Sequence, residues 1–308
     1  VGGACFVGWG WDLGENCAQM IKQGAKAMPI IIDGKKTAQK IKCRLKDKIS
    51  NLKIKPGLAV ILVGDNPASQ VYVSMKKKAC DEIGIKSFEY KLSQSASEDE
   101  LIKLIKKLNK DKKVHGILVQ LPLPGHINEN NILFTIDPGK DVDGFHPMNI
   151  GKMMIGAETF LPCTPYGIQK LLEEYNIKTT GKNVVILGRS NIVGKPIGMM
   201  LLQKHNFGNA TVIFCHSQSE KRDELLKQAD IIIAAIGKPN FVKADMIKDG
   251  AVIIDVGINR VSGKIVGDVD YDDVFNKLSA TTPVPGGVGP MTIAMLMSNT
   301  LQAYGATD

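Results

Sequence analysis

The 308-residue sequence contains no apolar run approaching the roughly 20 residues of a membrane-spanning helix, so a soluble chain is expected. It has no Cys-x-x-Cys pair. Six cysteines (Cys5, Cys17, Cys43, Cys80, Cys163 and Cys215) are scattered, and the five histidines are equally dispersed. Zinc-ligand spacing is therefore missing, no metal is expected, and reduced thiols in a reducing, cytoplasmic setting are the expectation. Aromatic residues are scarce, at 6%. A nucleic-acid track would interleave aromatics with concentrated Lys and Arg, so the net charge of +8 does not by itself point to one. Many lysines instead fall on helical polar faces, as in "ELIKLIKKLNKDKK", where Leu101, Ile102, Leu104, Ile105 and Leu108 form the apolar stripe. A small polyanionic substrate suits this charge balance, and neither nucleic acid nor membrane is expected as a partner.

Residues 1–27 hold both tryptophans and a cluster of glycines but no arginine. Asp12 and Glu15 make them a poor mitochondrial transit peptide, and they lack the basic start and long apolar core of a secretory signal. They are expected to be an appended or upstream-translated extension, disordered in part. From Met28 the pattern alternates. An amphipathic helix ("IDGKKTAQKIKCRLKDKI") precedes "GLAVILVG" (57–64), a continuous apolar run fit for a buried parallel strand. A helix follows, with Pro67 in its first turn and Gly84 at its end, then a strand near "KSFEYKL", the lysine-rich helix, and a second buried strand at 114–124. "DPGKDVDGFHPMNIGKMMIG" reads as a turn-rich connection without an element of its own. A helix entered through "LPCTPYGI" leads to a second alternation: strand 183–187, a helix from 194, strand 211–216, helix 220–228, strands 231–237 and 251–257, and a final apolar helix. This order predicts two α/β domains with a cleft between them, the second Rossmann-like. The expected boundaries are 28–148, joined by the C-terminal helix 290–305, and 149–289.

The glycine spacing G-x-G-x-x-G is absent from "NVVILGRSNIVGKP", which still reads as strand, turn and helix. Gly188 and Gly194, with Ser190 and Val193 between them, would bring backbone N–H groups and a helix N-terminus to a phosphate. The next strand ends Cys215-His216-Ser217, without the carboxylate that binds the ribose 2′-hydroxyl of NAD. Arg189 with Ser217 would receive a 2′-phosphate instead, so NADP is the expected cofactor. An arginine that holds free phosphate beside NAD is the alternative.

In the first half, Tyr72 and Lys76 lie four apart on one helix face, although Lys76 is also one of three consecutive lysines that would ordinarily share a wet face. Gln120 sits at the C-terminal end of a buried strand, where parallel sheets bind ligands. "KDVDGFHP" brings Asp141 and Asp143 toward the same edge.

"YVSMKKKACDEIGI", "GILVQLPLP", "KDVDGFHP", "PCTP", "VVILGRSNIVGKP", "IDVGIN", "VGDVD" and "TPVPGGVGPMTIAMLM" occur in this order from about Met28 to the C-terminus. Together they resemble the methylenetetrahydrofolate dehydrogenase/methenyltetrahydrofolate cyclohydrolase family. Residues 1–27 have no counterpart in that pattern, and the compact form without a large formyl-tetrahydrofolate synthetase domain is expected. The resemblance implies NADP-dependent oxidation of 5,10-methylene-tetrahydrofolate and hydrolysis of the methenyl product to 10-formyl-tetrahydrofolate in one shared site. It implies that Lys76 is catalytic, Tyr72 stacks on substrate, Gln120 tunes the lysine and Asp143 binds the pterin. It further implies that Arg189 and Ser217 contact the 2′-phosphate and Ile258 lies beside the nicotinamide. The loop from Pro283 to Pro290, with Pro285, Gly286, Gly287 and Val288, would close over the folate. Polyglutamylated folates and a homodimer are implied as well. The competing readings are an NADP-dependent dehydrogenase acting on a different small molecule, a dehydrogenase with little cyclohydrolase activity, and a non-enzymatic NADP-binding protein. Tyr72, Lys76, Gln120 and Asp143 together argue against the first; the third should have lost Lys76 or Asp143. Met291, Met295 and Met297 read as packing. Cys163, His146 and His216 fall near the presumed ligands without an assigned chemical role.

Overall fold

The computed structural model describes residues 28–306; the extension expected at 1–27 lies outside the described residues. Strand β1 (Ile30–Ile31) opens the fold, followed by β2 (Gly57–Val63), β3 (Lys86–Leu92) and β4 (Gly116–Val119). The last three form a parallel sheet in the order β3-β2-β4. Every residue of β2 is buried, as its unbroken apolar run requires of a central strand. The second sheet comprises β5 (Asn183–Leu187), β6 (Thr211–Cys215), β7 (Ile231–Ala234) and β8 (Ala251–Asp255). A hairpin of β9 (Asn259–Val261) and β10 (Lys264–Val266) follows, and β11 (Leu278–Thr281) completes the sheet in the order β1-β11-β8-β7-β5-β6, parallel throughout.

Both sheets reverse their strand order beside their first long strand, at β2 and at β5. Crossovers leave such a strand on opposite sides, which opens a crevice at the carboxyl ends where ligands bind. The two-unit α/β architecture with an intervening cleft is the one expected from the sequence.

Local signals explain most helix ends. In helix Pro67–Ile83, Asn66 accepts from the Ala68 and Ser69 amides, and Gly84 closes the helix at φ 87°. Ser97 caps helix Glu98–Lys110, whose first turn holds three acids and whose last turn holds Lys107 and Lys110, both favourable to the helix dipole. Only Leu101, Ile105 and Leu108 of its stripe are fully buried.

Among the departures from the sequence pattern, two bear on how the units are joined. The supposed turn-rich connection contains helix Pro147–Met154, started by His146, whose Nδ1 accepts from the Met148 amide at 3.1 Å, with Pro147 in the first turn. Ile30–Ile31, though ahead of the first sheet in sequence, pairs with β11 in the second. The Ile32 amide continues that ladder to the Thr281 carbonyl at 2.8 Å.

The final helix, Val288–Gly305, is the common wall of the fold. It packs against helices Gly34–Ser50 and Cys163–Glu174 and touches helix Pro67–Ile83. Met291, Met295 and Met297 on it are all buried, in the packing role expected of them. The four described cysteines are free, and no described helix is long and apolar enough to cross a membrane.

Candidate active site

Helix Pro67–Ile83 buries Ser69, Val73, Lys76, Ala79, Cys80 and Ile83, the three-and-four spacing of a single face. That periodicity turns the first of three consecutive lysines inward. Lys76 is 8% exposed, while Lys77 and Lys78 are open to solvent and Lys77 pairs with Glu89 at 2.6 Å. Tyr72, one turn earlier, is 38% exposed.

Gln120 follows β4 directly. Its Nε2 donates to the Leu121 carbonyl at 2.7 Å, which leaves Oε1 to accept from Lys76 Nζ at 2.8 Å. Asp143 supplies the compensating charge. Burial holds the Lys76 ammonium below the ordinary lysine pKa, and the Asp143 charge pulls it part of the way back. The same withdrawal from water pushes the Asp143 carboxyl up, opposed by Lys76. Isolating either charge would cost several kcal/mol, on the order of the penalty for an unpaired buried ion, so each depends on the other.

The two acids of "KDVD" have different work. Asp141 is 1% exposed, and its Oδ2 accepts from the His146 amide at 2.7 Å and from Asn149 Nδ2 at 2.9 Å. It anchors the loop and starts the following helix, which frees Asp143 to face Lys76. Between them, the Val142 carbonyl accepts from Asn299 Nδ2 at 2.8 Å and from the Cys163 thiol at 3.3 Å. Burial, reinforced by the nearby Asp143 charge, raises the Cys163 pKa well above the thiol range. Cys163 is thus held protonated, a packing thiol rather than a nucleophile. His146 is a helix cap.

A cleft of about 530 Å³ runs between the units. Tyr72 and Met75 line it from one unit and Ile258 and Ile265 from the other, and the loop that includes Pro285, Gly286, Gly287 and Val288 contributes further lining. The loop rests on the start of the first helix: the Lys35 amide donates to the Gly286 carbonyl at 2.9 Å, and a Cβ at Gly34 would stand 1.8 Å from the Gly287 oxygen. Only glycine permits that approach.

Gly188, Arg189, Ser190, Val193, Gly194 and Ser217 do not line this cleft; they gather at the carboxyl ends of β5 and β6. Gly188 has φ 129°, and a Cβ there would lie 2.2 Å from the Ala235 carbonyl oxygen. Ser190 Oγ accepts from the Val193 and Gly194 amides at 3.1 and 3.3 Å and so ties the turn to the start of helix Gly194–Leu202, which has no acid in its first turn. Arg189 is exposed, with one guanidinium nitrogen 3.4 Å from His216 Nε2, and Ser217 is exposed beside them. A glycine turn, an acid-free helix start and a cation where a ribose-binding carboxylate would stand fit a dinucleotide that carries an extra phosphate.

Two charged residues of the cleft escaped the sequence reading. Asp255, at the end of β8, accepts from the Gly257 and Asp268 amides through Oδ1 at 2.9 and 3.0 Å, and from the Val269 amide through Oδ2 at 3.1 Å. The carboxylate that ends the apolar run "AVIID" was the available signal. Arg260 lies on the β9–β10 hairpin, whose three-residue strands gave no periodic signal.

A glycine turn suited to a dinucleotide in one unit, and a buried lysine beside a carboxylate in the other, are the marks of a nicotinamide-dependent enzyme class. Two family models match the chain: the tetrahydrofolate dehydrogenase/cyclohydrolase catalytic domain over residues 32–143 and the corresponding NAD(P)-binding domain over residues 162–308. The bifunctional protein FolD of Acetivibrio thermocellus is 58% identical over 277 residues, which cover 89% of this chain and 96% of the relative. The crystal structure of the Campylobacter jejuni bifunctional enzyme FolD, methylenetetrahydrofolate dehydrogenase/cyclohydrolase, superposes with a TM-score of 0.88 at 54% identity, covering 90% of this chain and 99% of that one. The Trypanosoma brucei enzyme, complexed with NADP cofactor and inhibitor, gives 0.86 at 35% identity over 91% and 99% of the two chains. The chain belongs to the tetrahydrofolate dehydrogenase/cyclohydrolase family.

Proposed function

We propose that the protein oxidises 5,10-methylene-tetrahydrofolate with NADP and hydrolyses the resulting methenyl compound to 10-formyl-tetrahydrofolate, both in one site. The observation that carries this reading is the hydrogen bond of buried Lys76 to Gln120, with Asp143 beside it. Bound NADP would supply the hydride acceptor. The chain's own task in that step is alignment: Tyr72 stacks on the folate, Asp143 accepts from the amino and ring N–H donors of the pterin, and the 283–290 loop and Ile258 hold the two rings together.

Hydration asks more of the protein. The methenyl carbon is cationic, and a second positive charge beside it is disfavoured, which adds to the burial that already lowers the Lys76 pKa. Lys76 as the neutral amine takes a proton from the water whose oxygen bonds to that carbon. The ring carbon–nitrogen bond then opens with its electron pair leaving to nitrogen, which gains a proton as the carbinol hydroxyl loses one to become the formyl carbonyl. Gln120 orients the amine. Arg189 and Ser217 hold the 2′-phosphate of the cofactor. We place the enzyme in the cytoplasm, which its free cysteines suit, as a homodimer acting on polyglutamylated folates.

The test is an assay of purified protein with 5,10-methylene-tetrahydrofolate and either NADP+ or NAD+, following reduced cofactor and methenyl-tetrahydrofolate separately. Reduction with NADP+ and no lasting methenyl compound is expected. Lasting methenyl accumulation would leave only the dehydrogenase, and no reduction with either cofactor would overturn the assignment.

A further inference from the structure

We infer that Arg260 is the substrate-tail receptor: its guanidinium takes the carboxylates of the glutamate end of the folate and sets the preference for substrates with a charged tail. This deepens the proposed function and rests on it. Among the cleft-lining residues Arg260 and Asp255 alone carry formal charge. Asp255 is 5% exposed, with both carboxylate oxygens engaged by backbone amides, so it is built into the wall. Arg260 is exposed and makes no hydrogen bond or ion pair among the described residues. An exposed cation that has no partner among the described residues and lines an otherwise apolar cleft is placed to meet an anion that arrives with the ligand.

The hairpin presents Arg260 in a fixed position. Its base is tied down by Asn259 Nδ2, which donates to Asp268 Oδ1 at 2.9 Å and to the Gly267 carbonyl at 3.2 Å. Arg260 and Ile265 are register partners, and both line the cleft, so the arginine stem has an apolar neighbour while its head reaches solvent. The ligand's direction follows from charge. Its pterin end belongs with Asp143 and with Lys76, one helical turn from Tyr72; Tyr72 and Arg260 both line the cleft, among apolar side chains. The folate's carboxylates lie at the end of the molecule opposite the pterin. The cofactor phosphates belong to the glycine turn after β5, which contributes nothing to this cleft.

The experiment compares wild-type enzyme with Arg260→Gln on three substrates: 5,10-methylene-tetrahydrofolate as the monoglutamate, as the triglutamate, and as the tetrahydropteroate analogue that has no glutamate. The variant should raise KM for both glutamate-bearing substrates about tenfold, the scale of one charge-assisted hydrogen bond. KM for the tail-less analogue should be the same in the two proteins, and the NADP+ KM should not move. Arg260→Lys should recover part of the loss. An equal rise for the tail-less analogue, or no rise for any substrate, would overturn the inference, and a rise in the NADP+ KM alone would give Arg260 to the cofactor. In each case wild-type turnover leaves the reaction assignment standing. A wild-type protein that turned over none of the three would overturn the assignment and the inference with it.

Discussion

The two ligand regions solve the problem of charge in opposite ways. Around Lys76 the charges are few, buried and mutually dependent, with orientation fixed by Gln120 and by a loop that Asp141 anchors. At the β5–β6 edge the charges are exposed, and the backbone is what is tied down, through the close approach at Gly188 and the Ser190-bonded turn. A dry pocket preorganises chemistry; a wet rim selects among ligands. Substitutions on the first side should therefore change rates, and those on the second should change affinity in a salt-dependent way.

The sharpest way to break that contrast is Lys76→Met. Loss of the amine should lower the hydration rate by about 100-fold or more, the scale of a lost general base, while hydride transfer falls far less. In the wild type the hydration rate should rise with pH as Lys76 gives up its proton, with an apparent pKa below that of an ordinary lysine; the methionine variant should show no such limb. Single-turnover hydration of methenyl-tetrahydrofolate across pH checks both points, and an unchanged profile in the variant would remove Lys76 from the mechanism.

A smaller effect is expected at the wet rim. Arg189→Gln should raise the NADP+ KM about tenfold at low salt, as for a lost charge-assisted bond, and the gap should narrow at high ionic strength. A comparable change in the NAD+ KM would show that Arg189 does not read the 2′-phosphate.

The smallest effect tests the framework between the regions. Burial pushes the Asp255 carboxyl up to about 6 from an ordinary 3.8, against the pull of three backbone amides. With a folded pKa above the unfolded one, its favourable contribution is present below 3.8 and fades as pH rises through about 6. Wild type should lose about 1 kcal/mol relative to Asp255→Asn between pH 5 and 7, read from urea midpoints at the two pH values. Parallel stabilities would mean that the amides solvate the anion fully.

The sequence made the helices and buried strands legible because caps, Pro67, Gly84 and the unbroken run of β2 are local signals. Helix Pro147–Met154 escaped because Gly151 and the surrounding turn residues hid a short element whose start depends on His146 and Asp141. Strands β1, β9, β10 and β11 are two to four residues long, too short for periodicity, and the outer two exist through partners far along the chain. For the site, spacing put Tyr72 and Lys76 on one helix face, yet only the whole buried stripe distinguishes Lys76 from its two wet neighbours. The division of labour between Asp141 and Asp143 depends on Asn149 and Asn299, and no local pattern announces either.

Asn299 also fixes an order of events during synthesis. It lies on the final helix and donates to the carbonyls of Val142 and Leu161, 157 and 138 residues earlier. A ribosome that has finished the first sheet and all of its connections has still not made the donor that clamps the loop carrying Asp143. The loop that carries Asp143 therefore waits, during synthesis, for a clamp encoded more than a hundred residues downstream of it.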